Sequence, residues 1–167
     1  MQDFLKNRRR FMTAMAGAGA AFGLGRAHAQ DGQEGAGDEE LFFPGDEPAH
    51  KVIYQLNHGD VEYQTHVLNS MNAMIGKYGG NVKIAVACFA KGIHILAKEP
   101  KREVDEEIYA RVEGFAKNYD VEWIACGNTM DTVGYSEDDI REFARIEQVG
   151  AAALMEYQED GYAYISW

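Results

Sequence analysis

Residues 121–130 read Val-Glu-Trp-Ile-Ala-Cys-Gly-Asn-Thr-Met, and this stretch decides the fold as well as the candidate site. Its apolar beginning predicts a short β-strand at residues 121–125, which stops at Cys126. Ligands of open α/β sheets bind at the carboxyl ends of the strands, so the Cys126 thiol is a candidate nucleophile. The alternative is that Cys126 is a small buried apolar side chain, as most free cysteines are. A small flexible turn is predicted after the strand, at Gly127, Asn128 and Thr129.

Apolar runs and amphipathic stretches alternate along the rest of the domain. Runs of β-branched and aromatic residues predict four further strands, at residues 52–56, 82–88, 145–149 and 162–167. Apolar residues at helical spacing and helix-start signals predict the intervening helices, at residues 67–78, 91–97, 103–119, from Ser136 onward, and 150–157. This alternation predicts an α/β fold with a mainly parallel five-stranded sheet and helices on both faces.

The N-terminal segment is predicted to be an export signal. Residues 7–12, Asn-Arg-Arg-Arg-Phe-Met, resemble the twin-arginine signal, and Ala27-His28-Ala29 fits a small-x-small cleavage site. The apolar run between them is too short and too mild for a stable membrane span, which needs about 20 strongly apolar residues. We therefore expect residues 1–29 to be a signal of the twin-arginine type that directs the protein to the periplasm. The alternative is an uncleaved N-terminal anchor.

The remainder divides into a linker and one domain. Residues 30–48 are rich in Asp, Glu and Gly and show no hydrophobic period, which predicts an acidic linker before a domain at residues 49–167. Five of the 16 basic and one of the 27 acidic residues lie in the predicted signal, so its removal leaves 11 and 26, a formal charge of −15. A protein with so large a negative charge repels the phosphate backbones of nucleic acids, so we do not expect nucleic acid as a partner.

The chain resembles the DsrE/DsrF-like family of sulfur-handling proteins over residues 51–167. The resemblance is carried by the strand that ends in Ile-Ala-Cys-Gly-Asn-Thr at residues 124–129 and by Gln-Glu-Asp-Gly-Tyr-Ala-Tyr-Ile at residues 158–165. It implies a flavodoxin-like three-layer sandwich that assembles into trimers or hexamers. It also implies that sulfur is carried as a persulfide on the cysteine after the third strand, here Cys126. Where relay members have small apolar residues entering a helix, this chain has Gly-Asn-Thr.

The flavodoxin-like strand order, 2-1-3-4-5, predicts the composition of the site. In that order strands 1 and 3 are neighbours, and their ends bring His58 within reach of Cys126. A histidine beside a thiol can take its proton and leave a reactive thiolate, although a histidine in a turn is also commonly only solvated. We therefore predict Cys126 and His58 as catalytic residues. The predicted ligand-binding residues are Asn57, Gly127, Asn128 and Thr129.

Other kinds of site have little support in the sequence. The same strand order separates Cys88 from Cys126 by two strand spacings, roughly 9.6 Å, which is too far for a disulfide. His58, His66, His94 and Cys126 have none of the tight spacings of metal-binding motifs. No P-loop or dinucleotide-binding pattern occurs, so we predict neither metal nor cofactor.

Two functions remain open. The first is an exported, oligomeric sulfur carrier or sulfur transferase that exchanges sulfur with a donor or acceptor protein through Cys126. The second is a non-catalytic module that uses the same fold to bind a small ligand or to assemble. Alternating aromatic residues in the last strand, Tyr162, Tyr164 and Trp167, favour burial between subunits in either case.

Overall fold

The computed structural model describes residues 46–167, so the predicted signal and nearly all of the predicted linker lie outside the described residues. Five strands alternate with helices in this part of the chain, as predicted. The strands are β1 (His50–Leu56), β2 (Val82–Cys88), β3 (Glu122–Cys126), β4 (Ala144–Glu147) and β5 (Ala163–Ile165). The α-helices are α1 (Val61–Tyr78), α2 (Glu106–Tyr119), α3 (Gly127–Val133) and α4 (Gly150–Glu159), with short 3₁₀ helices at Ala90–Leu96 and Glu137–Asp139.

All the strand pairings are parallel, but the strand order differs from the predicted one. The order is β4-β3-β2-β1-β5, which places β2 in the middle of the sheet and between β1 and β3. Residues 84–88 of β2 are fully apolar and buried, as suits a central strand covered on both faces. The flavodoxin-like order 2-1-3-4-5 is therefore wrong for this chain, because it would leave that apolar strand at an edge.

The helices cover both faces of the sheet. On one face, α1 and α2 pack a large apolar core against the sheet, centred on Tyr54, Leu68 and Trp123. On the other face, α4 packs a smaller core in which Ala153 meets short side chains of the sheet such as Ala85 and Ala87. The three-layer α/β sandwich is thus confirmed.

Helix ends explain two differences from the predicted elements. The Asp105 carboxylate accepts the backbone N–H groups of Glu107 and Ile108 at 2.9 and 3.1 Å, so α2 begins three residues later than predicted. The helix predicted from Ser136 is a single 3₁₀ turn, in which Ser136 and Asp139 cap each other. The larger difference is α3, since residues 127–133 form a helix where a flexible turn was predicted.

Candidate functional site

Cys126 is the last residue of β3 and the N-cap residue of α3. Side chains alternate between the two faces of a strand, and Cys126 points toward the start of α4. There the backbone N–H of Gly150 donates to Sγ at 3.3 Å. Cys126 as a residue is 7% exposed, so the thiol is largely enclosed. The carboxyl-edge position predicted for this thiol is therefore correct.

Two glycines let the backbone close around the thiol. A Cβ on Gly150 would lie 2.8 Å from the Cβ and 3.1 Å from the Sγ of Cys126. A Cβ on Gly127 would lie 2.7 Å from the Oε1 of Gln148 and 3.0 Å from its Cα. Real Cβ atoms do not approach so closely, so both positions require glycine for packing rather than for backbone conformation.

The β4–α4 connection is tied to α3 by hydrogen bonds of Gln148. The N–H of Asn128 donates to the carbonyl of Gln148 at 2.9 Å. The side-chain amide of Gln148 donates in turn to the Oδ1 of Asn128 at 2.9 Å and to the Asp131 carboxylate at 3.2 Å. These bonds hold Gly150 against Cys126, and they place Asn128 in a supporting position beside the sulfur.

The protonation of Cys126 is set by opposing effects. Burial raises the pKa of the thiol, whereas hydrogen bonds from the Thr129 hydroxyl and from the N–H groups of Gly150, Thr129 and Asn128 lower it. The net result is a pKa below the ordinary value. Hydrogen-bond donors at the start of α3 and α4 therefore favour the thiolate, and no neighbouring histidine is needed for this shift.

Thr129 also links the thiol to the neighbouring β2 turn. Its Oγ1 accepts the backbone N–H of Ala90 at 3.2 Å. Ala90 has a φ of +49°, a left-handed conformation that is uncommon for a residue with a Cβ. The strained turn therefore points its N–H at the same hydroxyl that supports the Cys126 sulfur.

His58 does not join this site, which corrects the predicted pairing. Because β2 separates β1 from β3, the loop after β1 opens on the far side of the β2 turn from Cys126. The His58 ring packs edge-on against Tyr63, with ring centroids 4.9 Å apart. Asn57 lies in the same loop and accepts the Tyr63 hydroxyl at 3.1 Å. Among the predicted residues, the structure brings together Cys126, Gly127, Asn128 and Thr129.

Cys88 is a structural thiol. Its register partner on β3 is Ala125, so Cys88 and Cys126 lie on adjacent strands and not two strands apart as predicted. They are nevertheless unbonded, because Cys88 belongs to the core on the α1 and α2 face and Cys126 points to the α4 face. Burial alone raises the pKa of Cys88 well above its usual range.

The sequence interpretation missed Gln148 and Gly150. One signal was available, since Gly150 begins a predicted helix directly after a predicted strand, where a helix N-terminus supplies free N–H groups. Within residues 46–167, no group of three or more His, Cys, Asp and Glu side chains is arranged to hold a metal ion. None of the helices in that range is both long and apolar enough to cross a bilayer.

Comparison with known proteins agrees with this architecture. The protein of unknown function MTH1491 from Methanobacterium thermoautotrophicum superposes with a TM-score of 0.62 and 21% sequence identity, covering 71% of this chain and 99% of its own. The ychN protein from E. coli superposes with a TM-score of 0.59 and 13% identity, with the same 71% and 99% coverage. No curated protein sequence matches. The sequence model of the DsrE/DsrF-like family matches residues 50–167, and the chain therefore belongs to the DsrE/DsrF-like family.

Proposed function

We propose that this protein is a sulfur carrier or sulfur transferase that holds sulfur as a persulfide on Cys126. The observation that carries the proposal is the environment of this thiol. It is free, it stands at the carboxyl end of a strand in a parallel sheet, and its sulfur accepts hydrogen bonds from backbone N–H groups and from the Thr129 hydroxyl that lower its pKa. Membership of a family with sulfur-relay members supports the same role.

The carrier step is an exchange that needs no added oxidant. The Cys126 thiolate attacks the outer sulfur of a donor persulfide, R–S–S⁻, and forms Cys126–S–S⁻ while R–S⁻ leaves. In the reverse exchange, an acceptor thiolate attacks the outer sulfur and Cys126 leaves as a thiolate. The hydrogen bonds at Sγ stabilise the Cys126 thiolate, which is both the attacking group when sulfur arrives and the leaving group when an acceptor takes it.

Mass spectrometry after exposure to a small persulfide donor tests the proposal directly. We expect an added mass of about 32 Da, one sulfur atom, on the peptide that contains Cys126, and no such adduct on Cys88. The Cys126→Ser variant should lose the adduct, and Cys88→Ser should retain it. An unmodified Cys126 in the folded protein, under conditions that convert a free small thiol, would falsify the carrier role.

We also propose that the protein works outside the cytoplasm, after export by the twin-arginine route. The support is the Arg8-Arg9 pair followed by the mild apolar run and the small-residue cleavage site. A variant with both arginines changed to lysine should accumulate in the cytoplasmic fraction as the longer precursor. Unchanged recovery of that variant from the periplasmic fraction would contradict this route.

Assembly into a homo-oligomer, a trimer or hexamer, is the third part of the proposal. Met155 on α4 and the C-terminal Trp167 are 54% and 61% exposed, and Tyr164 on the edge strand β5 is also exposed. Tyr162, in contrast to its predicted role, packs into the core against Tyr157 at a centroid distance of 4.7 Å. Met155, Leu154 and Tyr164 line one shallow pocket, and an exposed apolar patch of this kind favours subunit contacts.

Light scattering measures the assembly. We expect a mass about three or six times that of one purified chain, reduced by Met155→Glu and unchanged by Glu156→Gln on the same helix. A monomer at micromolar concentration would contradict it. The same apolar surface favours the second candidate function, a non-catalytic assembly module, which predicts a stable oligomer in which Cys126 accepts no sulfur.

A further inference from the structure

A second cleft lies at the same edge of the sheet, on the other side of the turn that follows β2. It has a volume of about 480 Å³ and opens between the loop after β1, the first 3₁₀ helix and the segment before α2. This volume exceeds that of a bare inorganic ion and is within the usual range for small-molecule sites. The ionisable side chains that line it are His58, Asp60, Lys91, His94, Arg102 and Glu103.

His94 is the one buried ring among them, and one of its nitrogens has no partner. The residue is 3% exposed, and its Nδ1 lies 2.7 Å from the hydroxyl of Tyr135. That hydroxyl already accepts the N–H of Lys101 at 2.8 Å, so its own hydrogen is available to donate to Nδ1. Nε2 then carries the ring proton, and it makes no hydrogen bond with any residue of the described range. Trp123 Nε1 is the one fully buried side-chain nitrogen or oxygen without a partner in residues 46–167, so Nε2 of His94 is in reach of solvent and available to a ligand in the cleft.

The charged side chains that line the cleft differ in whether they already have hydrogen-bond or ion-pair partners. The Asp60 carboxylate accepts the N–H of Tyr63 at 2.8 Å and caps α1. Lys91 and Arg102 take part in none of the ion pairs or side-chain hydrogen bonds between residues 46 and 167. Glu103 is an exposed carboxylate beside Arg102. Lys91 and Arg102 are therefore cations without partners in the described range at the same cleft as His94, and Glu103 is the one carboxylate of the cleft that is equally without one, in a chain whose formal charge is −11.

We propose that this cleft binds a small organic anion through a carboxylate or phosphate group. Lys91 and Arg102 supply the charge, and the Nε2–H of His94 donates a hydrogen bond from the buried side. The acidic remainder of the protein repels anions, so binding depends on this local arrangement and not on a general attraction. The proposal does not rest on the persulfide chemistry, although Ala90 connects the two sites through its bond to Thr129.

Histidine ring resonances in proton NMR provide the test, with inorganic phosphate and acetate as probes. Each is added to the purified protein at constant ionic strength, and sodium chloride serves as the reference. We expect a saturable shift of the His94 resonances with a Kd below about 5 mM for at least one probe. A bound anion favours the protonated imidazole, so the pKa of His94, which burial and the nearby Arg102 and Lys101 lower, should also rise.

Surface variants keep the test independent of folding. Lys91→Ala and Arg102→Ala should each weaken binding about three- to tenfold, and the double variant more than tenfold. Lys77→Ala removes the same charge from the far end of α1, roughly 24 Å away, and should change the Kd less than twofold. If His94→Gln does not fold, the backbone amide shifts of Lys91 and Arg102 report binding instead. A shift that is linear to 50 mM, equal with chloride, or unchanged in the double variant overturns the proposal.

Discussion

Substitution of Gly150 by alanine tests the close approach on which the Cys126 site depends. Gly150 is the first residue of α4, where helix propensity alone favours alanine by about 0.5–1 kcal/mol. The added Cβ would lie 2.8 Å from the Cβ and 3.1 Å from the Sγ of Cys126, well inside the 3.5–4.0 Å of an ordinary contact. Packing therefore opposes propensity, and the two effects predict opposite signs.

We expect the cost of the close contact to exceed the gain in helix propensity. The Cβ of Cys126 is fixed to the strand end and cannot rotate away, so relief requires α4 or α3 to shift. Overpacking of this kind costs about 1–3 kcal/mol, and we expect Gly150→Ala to lower the free energy of unfolding by that amount. Gly76→Ala is a matched control, because a Cβ on Gly76 in α1 would meet nothing within 4 Å. That control should raise stability by about 0.5–1 kcal/mol.

Urea unfolding at pH 7 with a reductant present measures both variants. Cys126→Ala removes the Sγ contact but keeps the 2.8 Å one, so it should relieve only part of the cost when combined with Gly150→Ala. Displacement of the Gly150 N–H should also slow alkylation of Cys126 at neutral pH. If Gly150→Ala stabilises the protein as Gly76→Ala does, the tight contact does not exist and the account of the site fails.

Three further predictions concern the thiol and the core. Thr129→Val removes a hydroxyl that stabilises the thiolate, so the pKa of Cys126 should rise and its reaction with iodoacetamide at pH 7 should slow about two- to tenfold, the equivalent of one hydrogen bond. Thr132→Val is the control, because that hydroxyl donates to the Asn128 carbonyl; equal effects of the two variants would contradict the assignment. The lowered pKa of Cys126 means that the folded state binds fewer protons than the unfolded state at pH values between the folded pKa and the ordinary thiol pKa of about 8.5. The stability that this group contributes is therefore fully present above about pH 8.5 and is lost as the pH falls through the folded pKa. The difference in stability between wild type and Cys126→Ala should accordingly change with pH in urea titrations between pH 6 and 9. A constant difference would refute it. Arg141→Ala should cost about 2–4 kcal/mol in thermal or urea unfolding, because the guanidinium lies 4.0 Å from the Tyr109 ring and bonds to the Tyr109 carbonyl and to Glu113. Arg141→Lys should recover little of this, since a single ammonium cannot make the stacked and forked contacts, and full recovery would show that charge alone matters.

The strands could be predicted from the sequence because their apolar runs are bounded by strong turn signals. β2 was predicted at residues 82–88, the range that the structure has. Strand order was not predictable from local pattern in the same way, since neighbouring strands need no common motif. One physical signal did favour the observed order. The unbroken apolar run of β2 suits the centre of a sheet, whereas Arg145 and Glu147 on β4 suit an edge.

Only part of the candidate site could be predicted from the sequence, for a related reason. Cys126 could be identified from its position at a strand end, which is a local property. Helix α3 could not, because Gly127 and Asn128 have turn propensity and the helix is fixed by tertiary contacts, among them the packing of Met130 into the core. The partnership with Gln148 and Gly150 is tertiary, since those residues lie more than 20 positions away and meet the thiol through the β3–β4 pairing.

The placement of the two cysteines on opposite faces of the sheet has a consequence for redox chemistry. The chain contains two cysteines, and the sheet itself stands between their sulfur atoms. Cys126 thus has no resolving thiol in its own subunit, unlike dithiol oxidoreductases that release their cargo by closing an internal disulfide. A sulfenic acid, mixed disulfide or persulfide formed at Cys126 persists until a thiol from a second molecule enters the edge and removes it. The lifetime of the oxidised form is therefore set by the concentration and fit of that second molecule.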